Sequence, residues 1–125
     1  MMMSTWLLIA CVNGFIAVAA GAFAAHGLSA RLDAQSLAVF ETGARYQMYH
    51  ALAMGLAAFA MRGHAATPAH GAALLFLIGI VLFSGSLYAL SLTGIRTLGI
   101  ITPFGGLAFL AGWATLAYTA TRLGS

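Results

Sequence analysis

The sequence predicts an all-α integral membrane protein, a four-helix bundle with an interfacial helix leading into the second span. Three observations carry this. The chain is 62% hydrophobic and 6% charged, with a mean hydropathy of +1.00, whereas a water-soluble domain carries about a quarter charged residues. Four long stretches, about Thr5–Ala25, Tyr46–Met61, Gly71–Leu90 and Leu98–Ala120, contain no Asp, Glu, Lys or Arg. The 15 glycines, about twice the usual share, fall inside these stretches as well as in turns. With 125 residues there is room for one domain, a single transmembrane unit over residues 1–125.

Each span follows from a length. Helices rise about 1.5 Å per residue, so roughly 20 residues cross a hydrocarbon layer about 30 Å thick. Residues 5–25, 71–90 and 98–120 reach that length unaided. The second apolar stretch is short, and becomes a span over about 40–61 only if its helix begins upstream, near Leu37, which draws Glu41 and Arg45 toward the bilayer. Ala22-Phe23-Ala24 has the form of a signal-peptide cleavage site, but the apolar segment before it is long and no basic residue precedes it, so a retained helix is expected.

Between the spans, Pro68 separates the second helix from the third, and Ser91-Leu92-Thr93-Gly94 ends the third. Pro103 lies inside the fourth stretch with Gly105-Gly106 just beyond it, so that helix is expected to start late, kink or be interrupted there. Helix association in lipid relies on close backbone approach over small residues. Ala17 with Gly21, Ala51 with Gly55 and Ala108 with Gly112 are each four apart and share a helix face. Arg62 and Arg122 fall on one side of such a bundle and Arg31, Arg45 and Arg96 on the other; with Arg45 inside the membrane the counts tie, and orientation stays open.

Composition also excludes functions. The formal charge of +3 comes from five scattered Arg against two acids, which is no nucleic-acid footprint. Cys11 stands alone in an apolar run, so it forms no disulfide framework and is expected to serve packing.

The chemistry-bearing residues gather between Arg31 and His50. From about Leu32 the pattern suits a helix lying at the interface. Glu41 and Arg45 are four apart with the acid first, the favourable order for a pair on one helix. At a wet surface such a pair is worth about 0.3–0.5 kcal/mol. A lone charge at the helix centre costs about 2.5–3.5 kcal/mol, so at depth each ion favours the other. They form either a structural ion pair or a candidate ligand site. Tyr46, Gln47, Tyr49 and His50 follow on the same helix, His26 ends the first span, Asn13 lies in its middle, and Ser84, Ser86 and Tyr88 supply hydroxyls to the third. Their default role is hydrogen bonding between helices. His26 and His50 are too terminal for a typical bundle haem site. His64 and His70 lack zinc spacing and read as solvated loop residues, so no cofactor or metal is expected. Ser84 and Ser86 sit in no nucleophile elbow.

The blocks Gly21-Ala22-Phe23-Ala24-Ala25-His26-Gly27-Leu28, Phe40-Glu41-Thr42-Gly43-Ala44-Arg45-Tyr46-Gln47-Met48-Tyr49-His50-Ala51, Phe83-Ser84-Gly85-Ser86-Leu87-Tyr88, Thr93-Gly94-Ile95-Arg96 and Ile101-Thr102-Pro103-Phe104-Gly105-Gly106 together resemble the YgdD-like family of small bacterial inner-membrane proteins, a domain-of-unknown-function family. The resemblance implies four spans in the inner (plasma) membrane and no catalytic residue. The expected function is that of a structural or accessory membrane component, not an enzyme, that self-associates or joins a larger membrane complex. The competing expectation is a transporter or lipid-binding protein with a polar cavity at Glu41 and Arg45, assisted by an interrupted fourth helix.

Overall fold

The computed structural model describes residues 2–124 and shows only helices among them. Helix α1 runs Met2–His26, and a short 3₁₀ turn at Leu28–Ala30 leads to α2, Ala34–Phe59. The third rod is composite: α3 at Ala66–Gly79, a π-helical segment at Ile80–Ser84 and α4 at Gly85–Thr93. A second 3₁₀ turn, Arg96–Ile100, precedes α5, Thr102–Arg122. Three helical stretches, Met2–Ala30, Gly63–Thr93 and Arg96–Arg122, are long and apolar enough to cross a membrane on their own. Helix α2, with 26 residues, is also long enough, but it carries the polar residues between Glu41 and His50.

Helix α2 begins three residues upstream of the point expected from length. Asp33 is its cap: the carboxylate accepts the Ser36 backbone N–H at 2.7 Å and satisfies a donor that the first turn leaves open. That hydrogen bond, with a further one from the Ser36 side chain, holds the Asp33 carboxyl below its ordinary value of 3.8. From there α2 is unbroken, so the segment expected at the interface runs on as one helix into the second span. Pro103 occupies the first turn of α5, where its missing N–H removes no helical bond. Of the outcomes expected at Pro103 the chain takes the late start, and the notion of an interruption inside α5 is corrected. The irregularity lies in the third rod instead, where Gly85 donates its N–H to the Ile80 carbonyl five residues back. Gly94 ends that rod in the left-handed region at φ +73°, which a residue without a β-carbon adopts freely.

The rods stack in chain order. Helix α1 lies along α2, α2 against α3 and α4, and α5 against α3 and the π segment, leaving α1 and α5 outermost. The main core runs through Trp6, Met54, Phe76, Ile80 and Phe109 and is otherwise lined by alanines of α1, α2 and α3, so backbones approach closely. A smaller cluster, Ala24, Leu28 and Phe40, closes the opposite end. Leu8, Phe15 and Val18 of α1, Leu52 and Leu56 of α2, and Leu107 and Leu110 of α5 point outward, as side chains facing lipid do.

The closest helix contacts use glycines that spacing did not single out. A β-carbon at Gly105 would fall 2.4 Å from the Phe83 backbone nitrogen, and one at Gly79 would fall 2.3 Å from the Phe109 ring. Gly112, expected at an interface, sits 2.7 Å by the same measure from the Phe76 ring. Gly21 and Gly55 do not: nothing lies within 4 Å of a β-carbon there, although their partners Ala17 and Ala51 are buried.

Candidate functional site

The polar residues divide into three groups, each fixed by the faces that the helices present. The first is a line of uncharged side chains through the bundle. Tyr88 Oη of α4 donates to Gln47 Oε1 of α2 at 2.7 Å. Gln47 Nε2 donates to Asn13 Oδ1 of α1 at 3.0 Å, and Asn13 Nδ2 donates to the Ile9 carbonyl at 2.9 Å. Gly43 makes this line possible. One turn before Gln47 on α2, it admits the Tyr88 ring to 3.0 Å from where a β-carbon would be. The ring also packs at a tilt against Phe40, with centroids 4.8 Å apart.

The second group surrounds His50. A carbonyl only accepts, so His50 Nδ1, 2.7 Å from the Tyr46 carbonyl, carries the proton. An indole N–H only donates, so Nε2 accepts from Trp113 Nε1 at 3.1 Å. Both nitrogens of the neutral ring are therefore engaged, and its face lies 3.5 Å from Phe109, nearly parallel at 5°. Tyr46 packs on Phe83 and edge-on to Tyr49, and a groove of about 370 Å³ between α2 and α5 is lined by these rings. Ser86 bonds the Phe83 carbonyl and Thr102 Oγ1 of α5. Ser84 is fully buried on the π segment, and its hydroxyl has no hydrogen-bond partner among the described residues.

Glu41 and Arg45 form the third group, on the outside. Both are exposed and line one hollow of about 270 Å³ with Ala17, Gly21, Ala44 and Met48. They share a helix face but make no ion pair with each other within 4 Å. No residue of α5 borders this hollow, so the polar cavity expected to involve Pro103 is not assembled.

Of the residues singled out from sequence, the fold thus brings Gln47 to Asn13 and Tyr88, and Tyr46 and Tyr49 to His50. It leaves Glu41 and Arg45 facing outward, and His26 exposed at the end of α1. No group of three or more His, Cys, Asp or Glu side chains able to hold a metal occurs among the described residues. His64 is exposed in a turn, but His70 corrects the loop reading: it lies on α3, half-buried, and accepts the Trp6 indole N–H at Nδ1 over 2.8 Å. Sequence reasoning missed both indole–imidazole bonds because the partners are 64 and 63 residues apart. Cys11, expected to serve packing, is exposed on α1.

A family model described as a protein of unknown function, DUF423, matches residues 20–106, which hold the α1 terminus, all of α2 and the composite rod. The chain belongs to the DUF423 family. Among its relatives, UPF0382 membrane protein YwdK of Bacillus subtilis is 42% identical over 123 residues, covering 96% of this chain and 98% of that one. UPF0382 inner membrane protein YgdD of Escherichia coli K12 is 43% identical over 117 residues, covering 94% and 89%. A UPF0382 membrane protein of Haemophilus influenzae is 46% identical over 118 residues, 94% of each. No solved structure matches. With its apolar helices, this DUF423 chain is an integral protein of the bacterial inner membrane.

Proposed function

We propose that the protein is a non-catalytic structural or accessory component of the membrane, working by lateral association with itself or with a larger membrane complex. One observation carries this reading: Asn13, Gln47 and Tyr88 inside the bundle bond one another, while the two ions of α2 are turned outward beside α1. Asn13, Gln47 and Tyr88 join three helices and are neutral amides and a phenol, suited to holding a fixed geometry. His50, the obvious candidate base, has both ring nitrogens engaged by neighbours. Ions on an outer face at the edge of lipid favour a polar partner beside them. Purification of a tagged chain in mild detergent, followed by sizing and mass spectrometry, should give a defined oligomer or a stoichiometric partner. A strictly monomeric species without a partner overturns the proposal.

The hollow beside Glu41 and Arg45 favours one second reading, a lipid-binding or transport site. Flux or ligand binding that is unchanged in Glu41→Gln removes it.

A further inference from the structure

We propose that the outward face of α1 and α2 docks a second copy of this chain, with Glu41 of each copy paired to Arg45 of the other. This rests on the reading above and names its partner.

The argument begins with depth. Arg45 lies 14 residues before the Phe59 end of α2 and Glu41 lies 18 before it, or about 21 Å and about 27 Å along the axis. In a hydrocarbon layer about 30 Å thick, Arg45 is inside one boundary and Glu41 is at it. At that position an ion needs a counter-charge. Among the described residues each has none: the two make no ion pair with one another within 4 Å, although four residues apart.

Room for a partner is present along the same face. The hollow that holds both ions continues past Met48 into two more, lined by Cys11, Gly14 and Ala51, and by Phe15 and Val18. At Gly14, Gly21 and Gly55 a β-carbon would meet nothing within 4 Å. Space alone selects no partner, but the charges do. A face with one cation and one anion is complementary to a copy of itself turned by a two-fold axis along the membrane normal. Such an axis keeps equal residues at equal heights, so the offset to bridge is four residues, about 6 Å. The long arginine stem spans it by rising toward the boundary where Glu41 sits. An anionic lipid headgroup would satisfy Arg45 and be repelled by Glu41.

The test separates pairing between copies from pairing within one. Two differently tagged populations are purified in mild detergent and checked for unchanged helicity, and dimer formation is read by co-capture and by sizing with light scattering. Glu41→Arg leaves two cations on the face and Arg45→Glu leaves two anions, so neither variant can pair within its own chain. Each alone should associate at least about tenfold more weakly than the unaltered chain, and a mixture of the two should recover to within about threefold of it. The neutral variants Glu41→Gln and Arg45→Gln, which are easier to insert, should each weaken association by less. An unaltered chain that is monomeric, single variants that dimerise normally, or a mixture no better than either alone overturns the proposal. So does anionic phospholipid that copurifies with the chain and is lost in Arg45→Glu but kept in Glu41→Arg, which assigns the face to a headgroup. A stoichiometric foreign partner without a homodimer overturns this pairing and leaves the accessory reading standing; a monomer without any partner overturns both.

Discussion

Gln47 is the residue on which the bundle's polar logic turns. Its amide is spent in both directions, accepting from Tyr88 and donating to Asn13, so one side chain of α2 holds both neighbouring rods in register. Gln47→Leu keeps the bulk but strands a phenol and an amide in the core. Interhelical hydrogen bonds in membranes average about 0.6 kcal/mol, so loss of two should cost about 1–2 kcal/mol in an SDS unfolding titration. The double variant Gln47→Leu with Tyr88→Phe should be milder than the sum of the two singles, because it removes the stranded hydroxyl. Asp33 gives the residue scale its pH dependence. Its folded carboxyl lies below 3.8, so the cap stabilises α2 above the unfolded value and the stabilisation is lost as pH falls through the folded one. Asp33→Asn keeps a capping oxygen without a charge. The advantage of the unaltered chain over it in melting temperature should therefore be present above the ordinary carboxyl value and be lost as pH falls through the lowered folded one.

At the scale of an element, two glycines on α5 predict opposite outcomes for the same change. Gly105→Ala drives a β-carbon into the Phe83 backbone, which cannot yield as a side-chain tip can, and α5 must move away from the π segment. Gly106→Ala meets open space within 4 Å and adds helix propensity. Thermal unfolding followed by circular dichroism should show Gly105→Ala destabilised by about 1–3 kcal/mol and Gly106→Ala neutral or slightly stabilised. This contrast also marks what the sequence discloses. Apolar run lengths located all four rods, and the polar block on α2 located Gln47 and His50. Residue spacing on one helix cannot tell which face meets a neighbour, so Gly21 and Gly55 looked like contacts while Gly79 and Gly105 were passed over. Nor does composition announce a π segment, since Ile80–Ser84 consists of residues that an ordinary helix would accept. Pro103 was visible as a breaker, but only the 3₁₀ turn before it shows that the helix simply begins there. Spacing placed Glu41 and Arg45 on one helix face and suggested an ion pair that the structure does not form; that they face outward depends on where α1 lies.

The whole molecule is a row of rods, and a row has a weakness that a closed bundle lacks: its outer members are each held mainly by one neighbour. Two indoles compensate. Trp6 reaches from α1 past α2 to His70 of α3, and Trp113 reaches from α5 past the third rod to His50 of α2. Each bond therefore skips a neighbour and braces an outer rod against the far member of the central pair. Trp113→Phe retains an aromatic ring against Phe76, 5.2 Å away in the native packing, and deletes only the donor. The His50 Nε2 lone pair is then left in the groove without a partner. Because the bond skips a rod, its loss should act on the angle of α5 and not on local packing alone. Distances between spin labels at the ends of α2 and α5 should broaden in Trp113→Phe, with stability lowered by about 1 kcal/mol. The equivalent distances between α1 and α2 should stay unchanged, since Trp6 and His70 brace that side independently. Broadening on both sides would mean that the braces are coupled through the central pair, and no change on either side would show that packing against α3, the π segment and the His50 ring holds α5 without the bond.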